Sequence, residues 1–229
     1  MPTATEWQVL ALSLQVALVA VALTLPVAVA LGWLLVRKRF PGRVLVTTIV
    51  NTPLVLPPVV TGYLLLLLCG PHGPLGRFSA AVFGADIAFT WIGAALAAGV
   101  VAFPLLLRTI QVAMEHVDPR LEAAAQTLGA GPVRVFLTVT LPLSARGILA
   151  GAVLAFGRSL GEFGATIMVA ANIPGRTQTL PLAIFSRAQR VGEEASILRL
   201  LVFSVILAFA SLWLSDWLVR RWRREEEPA

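Results

Sequence analysis

The chain has 229 residues, 58% of them hydrophobic and 13% charged, with a formal charge of +6 and a mean hydropathy of +0.85. A soluble domain would carry about 25% charged residues, so the composition excludes one and describes a single helical domain embedded in a membrane. The basic residues gather at the ends of apolar runs and form no stripe with interleaved aromatics, which argues against nucleic-acid binding.

The N-terminus, MPTATEWQ, has no basic segment ahead of the first apolar run, so no cleaved secretory signal is expected. That run extends from Trp7 to Val36 and is followed by Arg37, Lys38, Arg39 and Arg43. The second, Val44 to Cys69, contains Asn51, Pro53, Pro57 and Pro58 and cannot keep an unbroken hydrogen-bond ladder. Lipid does not tolerate freed backbone groups, so this segment is expected to be buried in protein or to line a wet cavity. A third run, Ile87 to Thr109, is about 35 Å long as a helix, enough to cross a bilayer with some tilt. The fourth runs from Leu143 to Ala171 and the fifth from Ile197 to Val219, followed by Arg220, Arg221, Arg223 and Arg224 and a solvated tail.

Cys69 is the only cysteine, and His72 and His116 stand far apart, so neither a disulfide nor a metal site is expected. The first loop, the third loop (Arg108, Arg120, Arg134, Arg146) and the tail are basic, while Gly70–Asp86 holds only Arg77. The fourth loop carries Arg176, Arg187, Arg190 and Arg199, partly offset by Glu193 and Glu194. Positive loops stay inside, which places the N-terminus outside and the C-terminus in the cytoplasm with five spans.

Within the fourth run, "FGRSLGEFGAT" sets Arg158 and Glu162 on one helical face. Each alone would cost about 2.5–3.5 kcal/mol near the bilayer centre. Together, with Gly157, Gly161 and Gly164 allowing close approach, they mark a protein-facing surface. A structural ion pair and a part of a transport path are equally good readings. Asn51, Thr61, Ser159 and Thr166 are candidate path-lining groups, and each can equally well bond a neighbouring helix. No nucleophile–base pair stands out, and with Lys38 as the only lysine the chain holds no phosphate-binding P-loop.

The third loop, residues 118–142, departs from the apolar pattern. Asp118 is a good N-cap and Pro119 suits the first helical position. Leu121, Ala124, Ala125 and Leu128 share one face, with Arg120, Glu122, Gln126 and Thr127 elsewhere, and Gly129 is a candidate C-cap. A second short helix is expected from Pro132, presenting Val133, Phe136 and Leu137 and ending before Pro142. The pair can rest on lipid headgroups or dock in a protein groove, and the small side chains of Ala123, Ala124 and Ala125 favour docking.

The alanine run, Gly129 and, nine residues on, Val139-Thr140-Leu141-Pro142 resemble the coupling motif ("EAA" loop) of ABC-importer permease subunits. Strict spacing back from Gly129 puts Ala123–Ala125 under that motif and leaves Glu122 one residue early. "NTPLVLPPVVTGYLLL" and "RSLGEFGATIMVAANIPGRTQTLPLAIF", with the loop between them, resemble molybdate permease subunits over roughly Gln8 to Trp217. "LGEFGA" is similar in sulfate and other oxyanion permeases, whereas "NIPGRTQTLPLAIF" resembles the molybdate permeases, with tungstate as a second candidate cargo.

The resemblance implies an all-α integral membrane protein of the type I ABC importer permease fold: one domain over 1–229 (core 8–217), a cytoplasmic coupling loop at 118–142 and a tail at 220–229. It implies a homodimer with the translocation path at its interface, two cytoplasmic ATPase subunits, an external or periplasmic molybdate-binding protein and surrounding membrane lipid. No cofactor is expected on this chain itself; ATP and Mg2+ belong to the ATPase, and the location is a bacterial or archaeal cytoplasmic membrane. The implied coupling residues are Asp118, Arg120, Leu121, Glu122, Ala123, Ala124, Ala125 and Gly129. In the external segment Asn172–Gln189, Arg176 and Arg187 are candidate contacts for the binding protein, or ties to the headgroups. The rival cargo is sulfate or thiosulfate. The rival class is a self-contained secondary transporter, which needs both halves of its own path, often as repeats; no internal repeat is seen.

Overall fold

The computed structural model describes residues 3–223, with side chains through Trp217, and among these there is helix and no strand. The tail arginines Arg220 to Arg224 and residues 225–229 lie outside the described side chains.

Helix α1 (Ala4–Arg37) opens on a capping box: Thr3 Oγ1 accepts from the Glu6 amide at 3.3 Å, and the Thr3 amide donates to Glu6 Oε2 at 2.9 Å. A left-handed turn at Gly42 (φ +88°) leads into α2 (Arg43–Val55) and then α3 (Pro58–Cys69). These two axes are bent by 119° at Leu56–Pro57. Pro57 lacks an amide hydrogen and drives Leu56 into extended backbone (ψ 142°), so the bend falls there and not at Pro53, which stays inside α2. The second run is thus a bent pair.

Two short helices stand where loops were expected: α4 (Pro74–Phe83) and, within 172–189, α10 (Leu180–Ala188). Helix α5 (Trp91–Glu115), capped by Thr90 Oγ1, runs through the middle of the molecule. It packs against α1 and against α8 (Leu141–Leu160) through Ala28, Ala102, Leu106, Ile110, Ile148 and Ala155. Small residues set these distances: a Cβ on Gly99 would lie 3.0 Å from Thr24 Cγ2, and one on Gly151 3.1 Å from Thr109 Cβ.

Helix α6 (Pro119–Thr127) is separate, as the sequence predicts, but the second loop helix is not. It starts at Pro132 as α7 (Pro132–Val135), passes through a π-helical turn at Phe136–Thr140 and continues as α8, one 29-residue apolar helix. The expected stop before Pro142 is therefore corrected. The Leu141 amide bonds Phe136 O across the widened turn, which places Pro142 in the first turn of α8, where its missing donor is tolerated. The fourth span consequently begins earlier than Leu143 and ends at Leu160. A break at 161–163 separates it from α9 (Gly164–Ala170). The last helix, α11 (Glu194–Arg223), packs on α8 and α10.

Among the described residues four helices are long and apolar enough to span a membrane, or five when the bent pair α2–α3 is taken as one span. The second run, expected to be buried in protein or to line a wet cavity, divides within one chain: α3 buries Thr61, Gly62 and Cys69. Helix α2 buries no residue, and Val44 and Val55 are 80% and 86% exposed.

The bend is held by contact between α3 and α9. A Cβ on Gly62 would stand 2.7 Å from Ala165 Cα and 2.8 Å from Ala165 O, rigid backbone atoms that cannot move aside. Gly62→Ala is expected to cost about 1–3 kcal/mol by overpacking, measurable as a lower thermal midpoint in detergent.

Candidate functional site

Three polar constellations break the apolar body: one at the α6 end, one at the helix breaks, and one where α1 begins.

At the α6 end, Asp118 Oδ1 accepts from the Arg120 amide at 2.8 Å, and Pro119 follows in the first turn. The helix closes in a Schellman arrangement. The Ala130 amide bonds Ala125 O at 3.1 Å and the Gly129 amide bonds Gln126 O at 2.9 Å, with Gly129 at φ +87°. Arg120, Leu121, Ala123, Ala124 and Leu128 are exposed, Ala125 is half-buried, and no residue of α6 is buried.

Glu122 turns back into the body. Its carboxylate pairs with Arg37 Nε (2.9 Å to Oε2, 3.0 Å to Oε1) and accepts from Thr140 Oγ1 at 2.6 Å. Arg37 Nη2 donates onward to Met114 O at 2.9 Å and Val117 O at 3.0 Å, the carbonyl-rich end of α5. Beside this cluster lies a cavity of about 430 Å³ walled by Trp33, Lys38, Gln126 and Pro132 among others. Sequence reasoning singled out Glu122 but missed Arg37 and Thr140 as its partners. Arg37 was read as a topology charge only, and 85 residues separate it from Glu122.

At the breaks, the start of α3 lies on the start of α9: a Cβ on Gly164 would meet Pro58 Cβ at 2.8 Å. Arg158 Nη1 stands 2.8 Å from Glu162 Oε2, and Glu162 Oε1 accepts the Ala165 amide at 2.9 Å, which caps α9. The Glu162 side chain is 2% exposed and that of Arg158 37%. Thr61, Ser159 and Thr166 are buried around this junction, and the hydroxyls of Thr61 and Ser159 have no hydrogen-bond partner among the described residues. Asn51 is not part of it; it is half-buried on α2, across the bend.

Where α1 begins, Glu6 is fully buried. It receives Arg199 Nη2 at 2.9 Å, Arg187 Nη1 at 3.1 Å and Ser196 Oγ at 2.6 Å. Arg187 also reaches Glu193 and bonds Ser196, so its guanidinium is directed inward, whereas Arg176 is exposed in the turn before α10. Glu6 carried no signal in the sequence, because its partners lie 181 to 193 residues away.

Residues 6–224 match the family model described as "Binding-protein-dependent transport system inner membrane component". The chain is 52% identical, over 95% of both chains, to the molybdenum transport system permease protein ModB of Escherichia coli (strain K12). It is 40% identical to the sulfate transport system permease protein CysT of Salmonella typhimurium, over 80% of this chain and 65% of that one. Among solved structures it is similar, with TM-score 0.74 and 16% identity over 96% of this chain and 80% of the other, to a bacterial ABC transporter that imports the acidic polysaccharide alginate.

Proposed function

This chain belongs to the binding-protein-dependent transport system inner membrane components, and we propose that within that family it is the permease through which an ATP-driven importer moves molybdate into the cell. It is a multi-pass inner-membrane subunit without a catalytic site of its own. The observation that carries the reading is α6: a capped helix with no buried residue, presenting small side chains on an otherwise membrane-embedded chain. Such a surface fits a groove on a partner better than it fits lipid.

The partner is the ATPase, with ATP and Mg2+ bound there, and the loop 118–142 faces the cytoplasm, which puts the N-terminus outside. Asp118 and Gly129 shape the docking helix; Arg120, Leu121, Ala123, Ala124 and Ala125 supply its surface. The bare α2 face is covered by a second copy of the chain, which also removes the freed backbone at the bend from lipid. The path runs along this interface past the two breaks. Arg158 attracts an oxyanion there, and Glu162 tempers the attraction enough to allow release. Thr61, Ser159 and Thr166 offer hydroxyls along that path, with Asn51 further along it. On the outer side, Arg176 is available to the binding protein, and Arg187 serves it indirectly by fixing α10. The domain is one unit over 1–229, with the core at 8–217 and a tail at 220–229.

Reconstitution in proteoliposomes with the ATPase and the binding protein tests the cargo. ATP-driven molybdate uptake is expected to be displaced by molybdate and tungstate well before sulfate. Equal displacement by sulfate would move the assignment to the sulfate permeases, the reading that the 40% identity to CysT favours.

Gly129 tests the docking helix. A Cβ there meets nothing within 4 Å, so the cost of a substitution lies in the left-handed backbone alone. Gly129→Val is expected to cost about 1–2 kcal/mol locally and to reduce uptake on the order of tenfold, with Gly129→Asn much milder.

A further inference from the structure

Helix α6 has no buried residue, so apolar packing does not fix it to the membrane helices. A firm attachment is the carboxylate of Glu122, which reaches three elements at once. It pairs with Arg37 at the end of α1, accepts from Thr140 on the π-helical turn that leads into α8, and through Arg37 is joined to Met114 O and Val117 O at the end of α5. The ion pair is shielded, with side-chain exposures of 17% for Arg37 and 12% for Glu122, so salt and solvent screen it less than a surface pair. The cavity of about 430 Å³ beside it leaves α6 unsupported on that flank.

We propose that Glu122 is a positioning residue, a strut that carries displacement of α6 into α1, α5 and α8 together, and that it makes no contact with the ATPase. This rests on the reading of α6 as the ATPase docking helix. The Thr140 end of the strut matters most: it grips a π turn, a feature that often marks functional sites in helices, and that helix ends at the Arg158–Glu162 junction. A push on α6 therefore has a continuous, hydrogen-bonded route to the breaks.

The test uses the complete complex in proteoliposomes, with co-purified ATPase, ATP hydrolysis and molybdate uptake measured on the same sample. Glu122→Gln is expected to retain the ATPase at wild-type stoichiometry while molybdate moved per ATP falls about tenfold. Thr140→Val, which removes one bond only, is expected to lower that ratio about threefold, and Glu122→Asp to restore part of it. Arg37→Gln combined with Glu122→Gln is expected to be no worse than the poorer single variant, as for groups acting as one unit.

Ala124→Trp is the companion variant, because it blocks the exposed face and is expected to strip the ATPase from the complex. If Glu122→Gln strips the ATPase as Ala124→Trp does, Glu122 is a docking contact and the strut is wrong. If Ala124→Trp strips it but Glu122→Gln transports at the wild-type ratio, the strut fails while the docking helix stands. If Ala124→Trp retains the ATPase and transports normally, the docking reading fails and the strut fails with it.

Discussion

Glu162→Ala is expected to destabilise the protein by about 1–3 kcal/mol, because it takes the buried carboxylate away from the Arg158 guanidinium, whose own side chain is 37% exposed. It also uncaps α9, since the Ala165 amide loses its acceptor 2.9 Å away. For a chain of this size the thermal midpoint in detergent should fall by about 5 °C. Two further variants separate the causes. Glu162→Gln keeps an acceptor for the Ala165 amide and loses the charge, so it is expected to fall between wild type and alanine. Arg158→Ala with Glu162→Ala removes both charges and is expected to melt above Glu162→Ala alone. If the single alanine variant melts with the wild type, the pair is exposed to water in the assembled protein and its structural role is nil.

The second large effect is at Glu6. Its carboxylate meets two guanidiniums and the Ser196 hydroxyl while fully buried, and it closes the capping box of α1. Glu6→Ala leaves Arg187, whose side chain is 13% exposed, with only Glu193 at 3.7 Å as a counter-charge. A loss of about 3–5 kcal/mol is expected, concentrated where α1, α10 and α11 meet. The turn between α10 and α11 holds Arg190, whose side chain is 65% exposed, and trypsin reads its local opening. Cleavage there should quicken by at least about tenfold in Glu6→Ala. An unchanged rate would show that α10 and α11 are held by their apolar contacts through Leu180, Ala183 and Leu200.

The local features were legible in the residues themselves. The apolar runs, the proline-broken second run, the Asp118 cap and the Gly129 turn each depend on a few consecutive side chains and the backbone they permit. Pro142 misled for the same reason. A proline after an apolar stretch reads as a stop, and only the packed helix shows that a π turn places it where its missing donor costs little. The Glu122 strut was half visible: the residue stood out, but its direction did not.

The sequence by itself determined that this is a helical membrane protein with five apolar runs, and which loop is polar and capped. Those properties follow from transfer free energy and local backbone chemistry, which add up residue by residue along the chain. Only the tertiary structure decided which charges meet. Glu6 finds Arg199 across 193 residues and Arg37 finds Glu122 across 85, because buried charges must be paired and the helices bring the partners together. It also decided that α2 lies bare along one side of the chain, since a bend of 119° turns an apolar run into a surface that one copy alone does not cover.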